Sequence, residues 1–125
     1  MKALWDLKEE HYYVLAMESS GPSVNKVKIE ISNFNSLFYK LNAYKTQSLM
    51  LNLDYQLIIV KAFDREKSAT SYLQAIQDLQ ELKELMGRSE YEHFIISSSN
   101  FKTFYKEKSL DKYLVYYEGK YLKYK

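Results

Sequence analysis

The most informative run of the sequence is Tyr55-Gln-Leu-Ile-Ile-Val-Lys-Ala-Phe63, which is apolar at most of its positions. In an extended chain, Leu57 and Ile59 would point to one side, and Ile58 and Val60 would point to the other. A run that is apolar on both sides predicts a central β-strand that is covered on at least one face.

The segments before this run predict a hairpin and a preceding strand and helix. Residues 44–51 form a second extended run, and the turn-like residues 52–54 predict that the two runs pair as an antiparallel hairpin. Further upstream, residues 11–17 are rich in strand-forming side chains, and the only Pro of the chain follows in a break at residues 19–23. Ser23 is a suitable N-cap for a helix. That helix carries an apolar stripe with spacings of three and four residues: Val24, Val27, Ile31, Phe34, Phe38 and Leu41.

The segments after the run predict a second helix, a last strand and a helical tail. Asp64 is an acidic N-cap, and Gly87 is placed to end a helix of more than twenty residues. Residues 91–97 predict a fourth strand. Helix-start signals at residues 98–100 and 109–111 predict one or two short C-terminal helices.

The predicted order of elements is that of a ferredoxin-like fold. Strand, helix, strand, strand, helix and strand, joined by short connections, predict an α+β protein with a βαββαβ antiparallel sheet and both long helices on one face. Residues 1–10 have only a weak apolar pattern and are interpreted as a lead-in or linker remnant. Residues 11–125 are predicted to form a single domain with a C-terminal helical extension.

The composition excludes several classes of protein. The 125 residues are 46% hydrophobic and 27% charged, which is typical of one globular domain with a real core. The net charge of +2 is too small to indicate a nucleic-acid partner by itself, and the absence of Cys excludes disulfides and thiolate chemistry. The apolar runs are too short to predict a transmembrane helix, and the N-terminus lacks the pattern of a signal peptide.

No catalytic, cofactor or metal site is expected. His11 and His93 are the only imidazoles, and neither has acidic companions at the spacing of a metal site. The serine clusters lack the context of a nucleophile elbow, and the three glycines stand alone rather than in a phosphate-binding loop. We therefore predict a protein that is not an enzyme.

The last 25 residues are unusual, because seven Lys stand against three acidic residues and eight of the twenty aromatic residues lie there. Tyr is enriched at protein interfaces, since its ring buries well while its hydroxyl stays wet. One interpretation is therefore a partner-binding surface made of Tyr113, Tyr116, Tyr117, Tyr121, Lys112 and Lys120, used together with a free sheet face. The other interpretation is that the rings cover the open face of the sheet.

Two consecutive motifs point to a family: Phe94-Ile-Ile-Ser and, after it, Asn100-Phe-Lys-Thr-Phe-Tyr-Lys-Glu-Lys. Together with His11-Tyr-Tyr-Val-Leu, they resemble the C-terminal domain of tetratricopeptide-repeat lipoproteins of Bacteroidota, which belong to gliding and type IX secretion machinery. The resemblance spans about residues 11–121. It implies a non-catalytic scaffold or docking role, a protein partner in the bacterial envelope and an extracytoplasmic location as part of a larger lipoprotein.

A looser similarity concerns the Tyr-Tyr-Val start of the first strand and the turn at residues 60–69, which resemble SPOR domains. That family is also βαββαβ and binds the glycan strands of peptidoglycan on its sheet. The resemblance implies an alternative partner, peptidoglycan, held by the sheet aromatics Tyr12, Tyr13 and Tyr55. A third alternative is an RNA-recognition motif, but the third strand has aliphatic residues where stacking rings are needed, so nucleic acid is the least favoured partner.

Overall fold

The computed structural model describes residues 5–122. Its strands are β1 (His11–Glu18), β2 (Lys45–Met50), β3 (Tyr55–Phe63) and β4 (Tyr91–Ser97). Its helices are α1 (Val24–Phe38), α2 (Glu66–Ile76), α3 (Gln80–Met86), α4 (Ser98–Glu107) and α5 (Leu110–Tyr117). A 3-10 turn, Lys40–Asn42, follows α1, and a π-helical turn, Glu118–Leu122, follows α5. Residues 1–4 of the predicted lead-in and residues 123–125 of the predicted domain lie outside the described residues.

The four strands form one sheet in the order β2-β3-β1-β4, and every neighbouring pair is antiparallel. This order confirms the predicted ferredoxin-like α+β fold, and β3 lies inside the sheet as its two apolar faces predict. Val14 of β1 is paired with Ile59 on one side and with Phe94 on the other. These three side chains therefore share one face of the sheet.

The helices α1 and α2 pack on the opposite face, which confirms the prediction that both helical connections lie on one side. Tyr72 of α2 is fully buried there, and its ring lies 5.1 Å from that of Tyr13 and 5.8 Å from that of Phe34. Its hydroxyl donates to Asn35 Oδ1 of α1 at 2.5 Å, and Asn35 Nδ2 donates to Thr46 Oγ1 of β2 at 3.2 Å. One hydrogen-bonded chain thus ties both helices to the edge of the sheet.

The second face of the sheet is covered by α4 and α5, whose presence confirms the predicted short C-terminal helices. The ring of Phe94 lies 5.8 Å from Phe104 of α4 and 4.9 Å from Tyr113 of α5. Leu57 and Ile59 on this face have no exposed surface. The expectation of a free sheet face is therefore wrong, because the chain after β4 folds back over it.

The predicted long second helix is two helices. α2 ends at Ile76, and α3 begins at Gln80 after Leu79 has taken an extended conformation with φ −68° and ψ 109°. Gly87 ends α3 with a φ of +58°, which only glycine adopts readily, so this stop was predicted correctly.

The start of α2 also differs from the prediction. Arg65 occupies the N-cap position, and no side chain caps the helix there. Asp64 instead accepts a hydrogen bond from Ser68 at 2.6 Å, and the helix begins one residue later than an N-cap at Asp64 predicts.

The residues before β1 pack on the domain. Glu9 Oε1 accepts from Ser98 Oγ at 2.9 Å and from the backbone N–H of Ser99 at 2.7 Å, and so binds the start of α4. The ring of Trp5 contacts that of Tyr121 with centroids 4.8 Å apart. Both ends of the described chain therefore meet on the same part of the surface.

Candidate functional site

Four of the nine predicted partner-binding side chains are buried in the core. Their exposed fractions lie between 0 and 8%: Tyr13, Tyr113, Tyr117 and Tyr121. The hydroxyl of Tyr113 donates to the backbone oxygen of Ile95 in the edge strand β4 at 2.6 Å. Burial raises the pKa of Tyr117 to about 12 and the pKa of Tyr113 well above its usual value. These rings are packed inside the fold, as the covering interpretation predicts.

Tyr121 holds the π-helical turn against the start of the sheet. Its hydroxyl lies 2.7 Å from Nε2 of His11, whose Nδ1 lies 2.7 Å from the backbone oxygen of Glu9. Burial lowers the pKa of His11, although Glu9, Glu66 and Asp6 act against this shift. Both ring nitrogens of His11 are thus engaged within the protein, which fixes the orientation of the imidazole.

The five remaining predicted side chains are spread over the surface. Tyr12, Tyr55 and Tyr116 are half-buried, whereas Lys112 and Lys120 are exposed. Tyr55 is paired with Glu18 at the far end of β1 from Tyr12, which is about 20 Å away along the strand. The sheet aromatics are therefore not brought together.

The half-buried rings among them have neighbours within the protein. Tyr12 packs on Phe101 of α4 with centroids 5.6 Å apart, and Lys61 Nζ lies 4.8 Å from its centroid. Tyr116 accepts from Asn100 Nδ2 at 3.5 Å. The rings on the second face thus belong to the contact between the sheet and its C-terminal helices.

The second histidine is also structural. His93 Nδ1 lies 2.9 Å from the hydroxyl of Tyr13, and burial lowers its pKa. Within residues 5–122, no group of three His, Asp or Glu side chains could hold a metal ion.

One exposed apolar surface, which the sequence reasoning missed, lies at the C-terminal end of α1. Val27, Ile31 and Phe34 of the predicted stripe are buried, but Phe38 is 64% exposed and Leu41 is 98% exposed. Phe38 is the last residue of α1, and Leu41 lies in the 3-10 turn that follows. Leu37 in the same segment is 75% exposed. We call Phe34, Leu37, Phe38, Leu41 and Leu79 the α1 patch.

Two shallow hollows meet at this patch and share Phe34 and Phe38. The larger, of about 390 Å³, is also lined by Tyr39 and Ala75. The smaller, of about 100 Å³, is also lined by Glu30, Asn33, Leu37, Leu79 and Glu81. The break between α2 and α3 contributes to the smaller hollow, because it places Leu79 and Glu81 beside α1. The arrangement is an apolar groove between two helices with carboxylates at one border.

A separate polar hollow of about 210 Å³ lies between α1 and β2. Its lining residues include Asn35, Tyr39, Lys40, Tyr44 and Thr46. Burial, followed by the neighbouring Tyr39, raises the pKa of Tyr44. Asn35 is already hydrogen-bonded at both ends of its amide, so the floor of this hollow is part of the fold.

No family model, curated protein or solved structure matches this chain. Between residues 5 and 122, none of the helices combines the length and the apolar character that crossing a bilayer requires.

Proposed function

We propose that this chain is a non-catalytic protein-interaction domain that docks a partner on the α1 patch. The observation that supports this proposal is the exposure of Leu37 and Phe38 at the end of α1, next to the buried Phe34, and of Leu41 in the turn that follows. Contiguous exposed apolar surfaces of this kind are typical of interaction sites. Apolar side chains that remain exposed to solvent are expected at positions where binding, rather than stability, determines the residue.

Burying a large apolar side chain stabilises a complex by roughly 1.5–3 kcal/mol before the losses of association are subtracted. Leu37 and Phe38, which line the same hollow, are the side chains that we expect to anchor a partner with a complementary surface.

The resemblance to the C-terminal domain of envelope tetratricopeptide-repeat lipoproteins supports the setting that we propose, an extracytoplasmic scaffold with a protein partner. No observation favours the peptidoglycan alternative, since α4 and α5 occupy the second sheet face and Tyr13 lies in the core. Because α4 and α5 cover this face, the structure also gives no support to the stacking of RNA bases on the sheet.

Site-specific photo-cross-linking tests the proposal. A photoreactive amino acid at Leu37 should cross-link the chain to a defined protein in cells of the source organism. The double substitution Phe38→Ser with Leu41→Ser should reduce this product about tenfold or more, since it removes two anchor side chains. Binding of the purified partner, measured by calorimetry, should weaken in parallel.

The matched control is Leu53→Ser with Val115→Ser, because these two apolar residues are 87% and 73% exposed elsewhere on the surface. This control should cross-link as strongly as the native chain. Equal cross-linking by the patch variant, or no protein product from the native chain, would show that the α1 patch is not a docking site.

A further inference from the structure

We infer that the segment bound at the α1 patch is an amphipathic helix that carries Lys or Arg beside its apolar anchors. This inference rests on the proposed function and specifies the chemistry of the partner. The walls of the groove and the charges at its border support it.

The walls of the groove favour a helix over an extended peptide. Leu37 and Phe38 belong to α1, whereas Leu79 and Glu81 lie at the start of α3. Helix grooves bind apolar side chains spaced three and four residues apart. An extended peptide gains most of its affinity from backbone hydrogen bonds to an open sheet edge, and the lining of these hollows belongs to helices and their connection instead.

The charges at the border favour a basic partner. Glu30 and Glu81 line the same hollow as Leu37 and Phe38. Among residues 5–122, neither carboxylate forms an ion pair, whereas Asp78 in the preceding turn is paired with Lys83 at 3.9 Å.

The basic side chains closest in sequence to these carboxylates are Lys28 and Lys83. Neither lines this hollow, and Lys83 is the partner of Asp78. Uncompensated carboxylates attract cationic side chains and repel anionic lipid headgroups, so the same charges argue against a membrane surface.

The two carboxylates are expected to set selectivity more than affinity. Border charges are partly solvated, so they contribute modestly to affinity, while they steer the encounter and disfavour partners of like charge. The apolar anchors supply the affinity. Removing the charges and removing the anchors should therefore give different, separable results.

The test is a selection from a display library of random peptides of about 16 residues, long enough for roughly four helical turns. The native chain should select peptides with apolar residues at helical spacing and with Lys or Arg. Synthetic copies should become helical on binding, seen by circular dichroism. Their affinity should fall about three- to tenfold for Glu30→Gln with Glu81→Gln. The charge-reversed variant Glu30→Lys with Glu81→Lys should select Asp and Glu instead.

The outcomes separate this inference from the proposed function. Two results overturn the inference: selected peptides that lack helical spacing, and peptides whose charge preference stays the same with the charge-reversed variant. The docking site still stands in either case if Phe38→Ser with Leu41→Ser abolishes binding of these peptides. Peptides that bind this patch variant unchanged overturn both. Sedimentation with vesicles of phosphatidylcholine and phosphatidylglycerol that depends on Phe38 and Leu41 also overturns the inference. Thermal melts of each variant verify that the fold is retained.

Discussion

At the scale of single residues, buried tyrosine hydroxyls form hydrogen bonds within the protein. Their partners lie 2.5 to 2.9 Å away, in the pairs Tyr13 with His93, Tyr72 with Asn35, Tyr113 with Ile95 and Tyr121 with His11. Among residues 5–122, Thr70 Oγ1 is the only buried side-chain polar atom without a partner. Satisfied buried phenols specify how the rings pack as well as contributing apolar surface.

Tyr72→Phe tests the shortest of these hydrogen bonds. The substitution keeps the ring but leaves Asn35 Oδ1, in a side chain only 6% exposed, without its donor. The free energy of unfolding should fall by about 1–3 kcal/mol, as expected for an unsatisfied buried acceptor.

Tyr105→Phe is the matched control in urea unfolding. The Tyr105 hydroxyl donates to the backbone oxygen of Met50 at 3.2 Å on the exposed side of the protein, so water can replace it. The change in the free energy of unfolding should stay within about 0.5 kcal/mol. Equal changes in the free energy of unfolding for the two substitutions would mean that the buried hydrogen bond contributes no more to stability than the exposed one.

At the scale of elements, the ends of the helices depart most from what the pattern indicates. α1 stops at Phe38, where Tyr39 leaves the helical conformation with φ −134°, and no Gly or Pro marks this stop. α2 stops at Ile76 in the middle of a continuous apolar pattern. Both helix ends lie beside the α1 patch. The groove forms there because α1 and α2 each end before the apolar pattern in their sequence ends.

The end of α3 provides a clean test of backbone conformation. Gly87→Ala should lower the free energy of unfolding by about 1–2 kcal/mol, because a φ of +58° is unfavourable for residues with a Cβ. An added Cβ would meet nothing closer than the backbone oxygen of Glu84 at 4.0 Å, so the effect is not a clash.

Gly119→Ala is the comparison for this substitution. Gly119 lies in the π-helical turn, and a Cβ there would contact nothing within 4 Å. Thermal unfolding should show this variant unchanged or slightly more stable, since Ala reduces the entropy of the unfolded chain. Loss of stability by Gly119→Ala that equals the loss by Gly87→Ala would contradict the conformational explanation.

The strands could be predicted from the sequence because their signals are local. The bounds of β3 and β4 agree with the predicted runs, since apolar runs, β-branched residues and flanking turn residues mark both ends. The order of elements then sufficed for the sheet topology, because short connections leave few alternatives.

The candidate site could not be predicted in the same way. Periodicity shows that Phe38 and Leu41 follow the core stripe, but it cannot show where the neighbouring strands end and leave them uncovered. The tyrosine-rich tail was equally ambiguous, because a ring that covers a sheet and a ring that binds a partner have the same spacing. The burial of Tyr113 and the exposure of Leu41 are determined by tertiary packing, which the local sequence pattern does not show.

At the scale of the whole molecule, both histidines are enclosed, so stability depends on pH. Burial lowers the folded-state pKa of His11 and of His93 below the usual value of 6.5. Between the folded and unfolded pKa values the unfolded chain binds more protons, so the free energy of unfolding must fall as the pH is lowered. Glu9, Glu66 and Asp6 reduce the effect at His11 without reversing it.

Urea unfolding at about pH 7.5, 6.5 and 5.5 measures this dependence, and the free energy of unfolding should decrease at each step. Hydrogen bonds from Ser99 and Ser98 outweigh burial and lower the pKa of Glu9, so its contribution is lost only below about pH 4.5. His93→Gln, which can still accept from Tyr13, should flatten the profile. A profile that is flat or rises toward acid would contradict the enclosed, neutral imidazoles.

The contact between Trp5 and Tyr121 has a topological consequence. Since the two extremities of the described chain already touch, a short peptide could splice them together without disturbing the sheet. The domain is therefore suited to circular permutation. It is equally suited to insertion into a loop of a host protein, because its two attachment points would lie close together.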